Sequence, residues 1–259
     1  MNIGKNPHFI VTRPKHQEKD LVSKITKAIG DKNIASVSHL PLIAISSYNQ
    51  DTSSLDSYYQ GVIFISSNSV NFLKRLLSEH QWQSLLSNPL YAIGQQTAKQ
   101  LQLERDALTE LAIAKVKYPN RMDSEGLLSI IPLDSLAGQN WLIVKGIGGR
   151  QKLKQELVNA GAKVQEKDVY QRKLPSLEIQ RDIATQSKSD PIWLITSLQA
   201  LTNLQRILQN QTQNCRIIVS SDRIANHANK LGFQLIAQSE GATDDQLLAT
   251  VQNIIQNPA

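Results

Sequence analysis

NWLIVKGIGGRQKLKQELVNAGAKVQEKDVYQRKL, residues 140–174, carries the unit from which the fold is read. An apolar run, Trp141-Leu142-Ile143-Val144, meets a glycine turn, Lys145-Gly146-Ile147-Gly148-Gly149-Arg150, and a helical pattern follows. The segment then turns extended at EKDVYQRK (166–173). Strand, turn and amphipathic helix in this order make one step of a parallel sheet. A similar plan runs through PHFIVTRPKHQEKDLVSKITKAIGDKNIASVSHLPLI, residues 7–43, far away in the chain.

Two further pairs lie outside this one. GVIFISSNSVNFLKRLL (61–77) resembles PIWLITSLQALTNLQRIL (191–208), and LYAIGQQTAKQLQ (90–102) resembles CRIIVSSDRIANHANKLG (215–232). Short apolar runs at 8–12, 62–66, 90–94, 141–144, 192–196 and 215–220 are expected strands. A helix is expected near 15–29, where Leu21, Val22, Ile25, Ala28 and Ile29 recur at helical spacing and Gly30 follows as a stop. Val70, Leu73, Leu76 and Leu77 mark another. Alternation of this kind signals parallel sheets covered by helices.

The paired units come in different orders, because the unit that is first in one copy is last in the other. Two equal sheets then require the chain's two ends to share a lobe. The expected class is α/β: two similar parallel-sheet lobes of flavodoxin or Rossmann type, one discontinuous, with an inter-lobe cleft. Residues 1–37 and 174–259 form the first lobe and 46–165 the second, and 38–45 with 166–173 make a two-stranded β linker. The alternative is two consecutive domains split near residue 135.

The composition narrows the function. The chain has 259 residues, 41% of them hydrophobic, and a net charge of +6. Its cations are scattered, which suits an acidic ligand better than a nucleic-acid stripe. One cysteine, Cys215, permits no internal disulfide, and it is expected as a buried, inert thiol in a core strand. No signal peptide or membrane span is expected, so the reading is a cytoplasmic protein. The five histidines show no paired ligand spacing, and no Walker A or G-x-S-x-G sequence occurs.

The glycine turn admits three readings. Gly146, Gly148 and Gly149 permit close backbone approach, and Lys145 and Arg150 flank them, as a carboxylate-binding nest requires. A tight turn without ligand is the second reading. A dinucleotide fingerprint is the third, with Glu166 about twenty residues on as its acid. Gln151 stands at that motif's last glycine position and is too large for the packing it needs. The turns Ser66-Ser67-Asn68 and Thr196-Ser197-Leu198 follow strands and open helices, as N-caps or as cleft-facing groups. Thr97 is expected to open the helix after YAIG, with Ser221 and Arg223 as its counterparts. Thr12 and Arg13 follow the first strand, where Arg13 suits a carboxylate. Ser124 reads as a helix cap. Tyr170, on the second crossing, is either a proton donor facing the cleft or an aromatic packed on one lobe.

An ordered set of short motifs covers nearly the whole chain: VTRP (11–14), LPLI (40–43), VIFISSNSV (62–70), AIGQQTA (92–98), SEGLL (124–128), VKGIGGR (144–150), VYQR (169–172) and ITSLQAL (195–201). In this order they resemble the uroporphyrinogen-III synthase family. The resemblance implies two lobes joined by a two-stranded linker. It implies a linear tetrapyrrole polycarboxylate, hydroxymethylbilane, as small-molecule substrate, with no cofactor and no metal. The implied reaction is cyclodehydration, a lyase step in tetrapyrrole biosynthesis. The terminal hydroxyl leaves as water, the substituted carbon of ring D attacks the resulting azafulvene, and a spiro intermediate recloses with ring D inverted. Tyr170 becomes the candidate general acid. Thr12, Arg13, Ser66, Ser67, Asn68, Thr97, Lys145, Gly146, Gly148, Gly149, Ser197, Leu198, Ser221 and Arg223 become candidate substrate-binding positions. Lys145 stands where the family often has arginine, and Leu198 where a second serine is common. A monomer is expected, without nucleic-acid or membrane partners, and with room for transient hand-over from the preceding bilane-forming deaminase. The competing classes are a two-lobed receptor for small anions and a nucleotide-dependent α/β enzyme using Gly146–Gly149.

Overall fold

Strands buried on both faces must be apolar throughout, and GVIF (Gly61–Phe64) and IWLI (Ile192–Ile195) meet that condition at every residue. They lie inside two five-stranded sheets. The computed structural model describes residues 6–14, 19–29, 35–48, 55, 58–108, 115–149, 151–209 and 211–257. In chain order the first elements are β1 (His8–Val11), α1 (Lys19–Ile29), β2 (Ser36–His39) and β3 (Ala44–Ser47). Then come β4 (Gly61–Phe64), α2 (Ser67–Leu76), α3 (Glu79–Leu86), β5 (Leu90–Ala92), α4 (Gln95–Asp106) and α5 (Ser124–Ser129). β6 (Asn140–Gly146), α6 (Lys152–Asn159), β7 (Lys163–Lys173) and α7 (Leu177–Gln186) follow. The last are β8 (Ile192–Ile195), α8 (Leu198–Ile207), β9 (Arg216–Val219), α9 (Asp222–Lys230), β10 (Gln234–Gln238) and α10 (Asp244–Gln256).

One sheet has the order β10-β9-β8-β1-β2, the other β3-β7-β6-β4-β5. The ladders of the first run parallel, with β1 held between β2 and β8 (Ile10 opposite Ser38 and Trp193). In the second, β4 runs parallel to β5 and β6, and β6 to β7. The sequence pairs map onto these orders strand for strand. The run β9-β8-β1-β2 corresponds to β5-β4-β6-β7. Even the place of β10 has a counterpart, since Lys117 bridges Tyr91 in parallel beyond β5.

The chain divides into two compact units, Met1–Ile45 with Lys173–Ala259, and Ser46–Arg172. Side-chain alternation gives the first sheet two apolar faces. Phe9 and Val11 join Leu21, Ile25, Leu247 and Val251 on one, while Ile10 joins Trp193, Leu201, Leu204 and Ile217 on the other. In the second unit, Ile63, Trp141 and Ile143 pack with Leu127, Leu153 and Leu157.

Several expectations shift at element ends. Helix α1 is described from Lys19, and residues 15–18 and Gly30 lie outside the described residues. Ser38 and His39, read as part of a crossing, belong to β2 and pair with β1. Thr97 does not open α4. Gly94 is the N-cap, with extended φ −169°, and Thr97 is a buried residue of the first turn. Ser124 is not a cap either: the Asp123 carboxylate accepts the Gly126 N–H at 2.8 Å, and Ser124 is the first helical residue.

Candidate active site

Ligands of parallel α/β sheets gather at the carboxyl ends of the strands, where helix N-termini leave backbone N–H groups free. In the second unit that edge carries Ser66 after β4, Gly94 after β5, the glycine turn after β6 and the last residues of β7. Ser66 caps α2 through a reciprocal pair: its Oγ accepts the Ser69 N–H at 3.1 Å, and Ser69 Oγ accepts the Ser66 N–H at 3.2 Å. Ser67 and Asn68 are the first helical residues and are half-buried.

Tyr170 meets this cap. Its hydroxyl lies 3.1 Å from Ser66 Oγ, within hydrogen-bond distance. Its ring stacks on Phe72 at 5.8 Å between centroids. Gly146 allows the approach, since a Cβ there would stand 2.5 Å from the Tyr170 ring. A bulge puts the phenol in place: Lys145 pairs with Asp168 but Gly146 with Tyr170, so β7 holds one extra residue, Val169. The Ile147 N–H then donates to the Tyr170 carbonyl at 2.8 Å. Only 2% of Tyr170 is exposed.

The glycine turn is open. Gly148 and Gly149 have φ of 82° and 94° and are exposed. Arg150 lies outside the described residues. Lys145 faces inward: its ammonium sits 3.1 Å from Asp168 and 3.4 Å from Glu166, and 3.4 Å from the Gly148 carbonyl. Lys154 reaches the same Glu166 at 2.8 Å. Glu166, the acid a dinucleotide motif would use, is thus engaged with two lysines. A cavity of about 280 Å³ adjoins the cluster, lined by Ile65, Ile93, Ile143 and Leu153 with Lys145, Lys154, Glu166, Asp123 and Ser124.

In the first unit, Ser197 caps α8 by accepting the Ala200 N–H at 3.1 Å, and Leu198 begins that helix. Ser221 is the N-cap of α9 without a side-chain cap bond, and Arg223 is exposed. Thr12 points into the sheet and donates to the Leu194 carbonyl at 2.6 Å. Arg13 is paired with the Asp244 carboxylate and the Ala242 carbonyl. Ser66, Tyr170 and Gly146 therefore form a contiguous group, and Lys145 closes onto the Gly148 carbonyl. Thr12 and Thr97 are turned into their own unit.

The family model described as uroporphyrinogen-III synthase HemD matches residues 23–249. The chain belongs to the uroporphyrinogen-III synthase family. Uroporphyrinogen-III synthase of Escherichia coli (strain K12) is 29% identical over 259 residues, covering 94% of this chain and 99% of its own. The crystal structure of uroporphyrinogen-III synthetase from Helicobacter pylori 26695 shares the fold, with a TM-score of 0.64 at 17% identity over 96% of this chain and 99% of that one. A mutant uroporphyrinogen III synthase from the extremely thermophilic bacterium Thermus thermophilus gives a TM-score of 0.60 at 12% identity, with 96% and 99% covered.

Within this synthase fold, some neighbours of the phenol were not singled out in the sequence. Phe72 is one and Arg172 another, its guanidinium carbon 5.8 Å from the Tyr170 ring centroid. The signal for Arg172 was present: two residues beyond Tyr170 on a strand falls on the same face. Phe72 offers none, because its contact crosses from α2 to β7. Cys215 is buried just before β9, and burial, with Asp190 nearby, pushes its thiol up to about 12. Among the described residues no group of three or more His, Cys, Asp or Glu could hold a metal ion. Among them, too, no helix is long and apolar enough to cross a membrane.

Proposed function

We propose that this chain closes hydroxymethylbilane to uroporphyrinogen III with ring D inverted. The observation that carries the reading is the family match running from residue 23 to 249 over both units. The free bilane loses its hydroxyl and closes unaided to the uninverted isomer. The enzyme's task is therefore one of geometry, where orientation and differential binding lower the barrier. In our reading it is a cyclising hydro-lyase that works as a cytoplasmic monomer without cofactor. It takes its substrate by transient hand-over from the bilane-forming deaminase. With Ser38 and His39 held in β2, segments 40–45 and 166–173 serve as its two-stranded linker.

Tyr170 is the proposed general acid. Ser66 Oγ already accepts the Ser69 N–H, so its own proton is free for the phenol oxygen. The phenol's proton is then left for the leaving hydroxyl. As the C–O bond breaks, water departs and the azafulvene forms. The phenolate that remains lies at the N-terminus of α2, where the helix dipole favours negative charge. The proton lost when the last ring rearomatises returns to it. Substrate carboxylates are taken by the exposed N–H groups of Gly148 and Gly149 and by the strand-end turns at Ser66–Asn68, Ser197–Leu198 and Ser221.

The test is isomer analysis. Hydroxymethylbilane is generated in situ, the protein is added, and the products are oxidised and separated. Type III porphyrin is the expected product. A type I to type III ratio equal to that of buffer alone would overturn the reading.

A further inference from the structure

The basic side chains of the two units differ in how fully they are matched. Lys145 is held by Asp168 and Glu166, Lys154 by Glu166, and Arg13 by Asp244. Arg172 is exposed and takes part in no ion pair among the described residues. Among the described residues it meets the Tyr170 ring, at 5.8 Å from guanidinium carbon to centroid. An aromatic ring attracts a guanidinium electrostatically and cannot satisfy its fork of N–H donors. That fork matches a carboxylate in two parallel bonds. Arg172 thus stands beside the phenol with a carboxylate-shaped donor set unfilled.

We propose that Arg172 is a substrate-binding residue that grips one side-chain carboxylate of the pyrrole ring reacting at Tyr170. The proposal rests on the reading of Tyr170 as the proton donor to a polycarboxylate bilane. Acetate and propionate arms stand at the edge of each pyrrole. Holding one of them beside the phenol fixes which way that ring presents its reacting carbon. The flat fork matters as well as the charge, because a lysine ammonium would attract the carboxylate without setting its plane. Arg75 provides the contrast. It too is exposed and lies over an aromatic ring, 5.6 Å from the Phe72 centroid, but in the last turn of α2 and over Phe72 rather than Tyr170.

The experiment compares Arg172→Ala, Arg172→Lys and Arg75→Ala with the unaltered chain. It uses bilane kinetics, and fluorescence titration with uroporphyrin III as a stable polycarboxylate probe. For Arg172→Ala we expect KM to rise about tenfold or more, with a smaller change in kcat, and the probe to bind weaker by a similar factor. The salt dependence of binding should become shallower. Arg172→Lys should recover part of the affinity, and Arg75→Ala should leave KM and probe binding unchanged. Arg172→Ala with unaltered KM and probe affinity overturns the proposal, as does an equal loss in Arg75→Ala. A lowered melting temperature with unaltered probe affinity marks a structural residue and overturns it too. If the unaltered chain made no type III isomer, the functional reading would fail, while the titration would still decide on Arg172.

Discussion

Ser66, Phe72, Gly146 and Arg172 enclose the Tyr170 ring, so its hydroxyl can be removed without removing its packing. Phenylalanine keeps the stack and the fit over Gly146 and loses only the proton. Tyr170→Phe should therefore slow turnover by about 10²-fold, the usual worth of general acid catalysis, with type III still formed. Steady-state kinetics with isomer analysis checks this, and an unchanged rate would exclude Tyr170 from the chemistry. Cys215 allows a second residue-scale test. Its folded pKa is raised to about 12 from 9.0, chiefly by burial. Above pH 9 the unfolded thiol ionises while the folded one keeps its proton, so stability falls as pH rises through this window. The loss is about 1.4 kcal/mol per pH unit. Cys215→Ala lacks this slope. Its deficit against the unaltered chain, measured by urea unfolding, should shrink by about 2 kcal/mol between pH 9 and 11. A constant deficit would mean that the thiol ionises equally in both states. Which residues would reach a strand end was legible in the sequence, but where each hydroxyl points was not. Thr12 turns to the Leu194 carbonyl because β8 lies beside β1, a neighbour found only across most of the chain.

Elements were legible where both faces are buried and obscure where one is open. β4, β8 and β9 are buried at every residue and stood out as apolar runs. SVSH and AISS carry no such run and QLIAQ only three apolar residues, and they form β2, β3 and β10 at the sheet edges, half-buried or exposed. Helix starts were ambiguous where two good caps adjoin. Asp123 and Ser124 are both strong N-cap residues, and the chain uses the one whose oxygen reaches Gly126 N–H. The ladder between β4 and β6 holds a contact that no strand pattern reveals. Gly61 pairs with Trp141, and a Cβ on Gly61 would collide with the indole ring. Both residues are buried, Trp141 almost completely, so the ring has little room to yield. Gly61→Ala should destabilise the chain by about 1–3 kcal/mol, the range for an overpacked core. Pairing it with Trp141→Leu should cost less than the two single changes added together, because the second relieves the clash made by the first. Additive losses in a double-mutant cycle would show that indole and glycine are not coupled.

The whole molecule is ordered by its repeats rather than by chain sequence. The discontinuous unit followed from their permutation, since a strand near the N-terminus had to stand where β6 stands in the other copy. β1 does so, between β8 and β2 in one sheet as β6 stands between β4 and β7 in the other. The strand-end groups follow the same logic, which is why whole turns were legible when single contacts were not. This order makes the two units unequal as pieces. Residues 44–172 keep all five strands of the sheet β3-β7-β6-β4-β5, with β7 short only of Lys173, in one continuous stretch of chain. Residues 173–259 keep β8, β9 and β10 but lose β1, whose Phe9, Ile10 and Val11 are fully buried against both faces. Without β1 the inner edge of β8 is left unpaired and α10 loses the Leu21 and Ile25 face of α1. Fragment 44–172 should therefore fold alone, with a cooperative thermal transition and protected amides in β4 and β6. Fragment 173–259 should lack a cooperative transition until a peptide spanning 1–43 is added, and should then gain helical and strand signal in circular dichroism. Independent folding of 173–259 would mean that β1 completes that sheet without being needed for it. The topology argues the opposite, because the missing strand is an interior one.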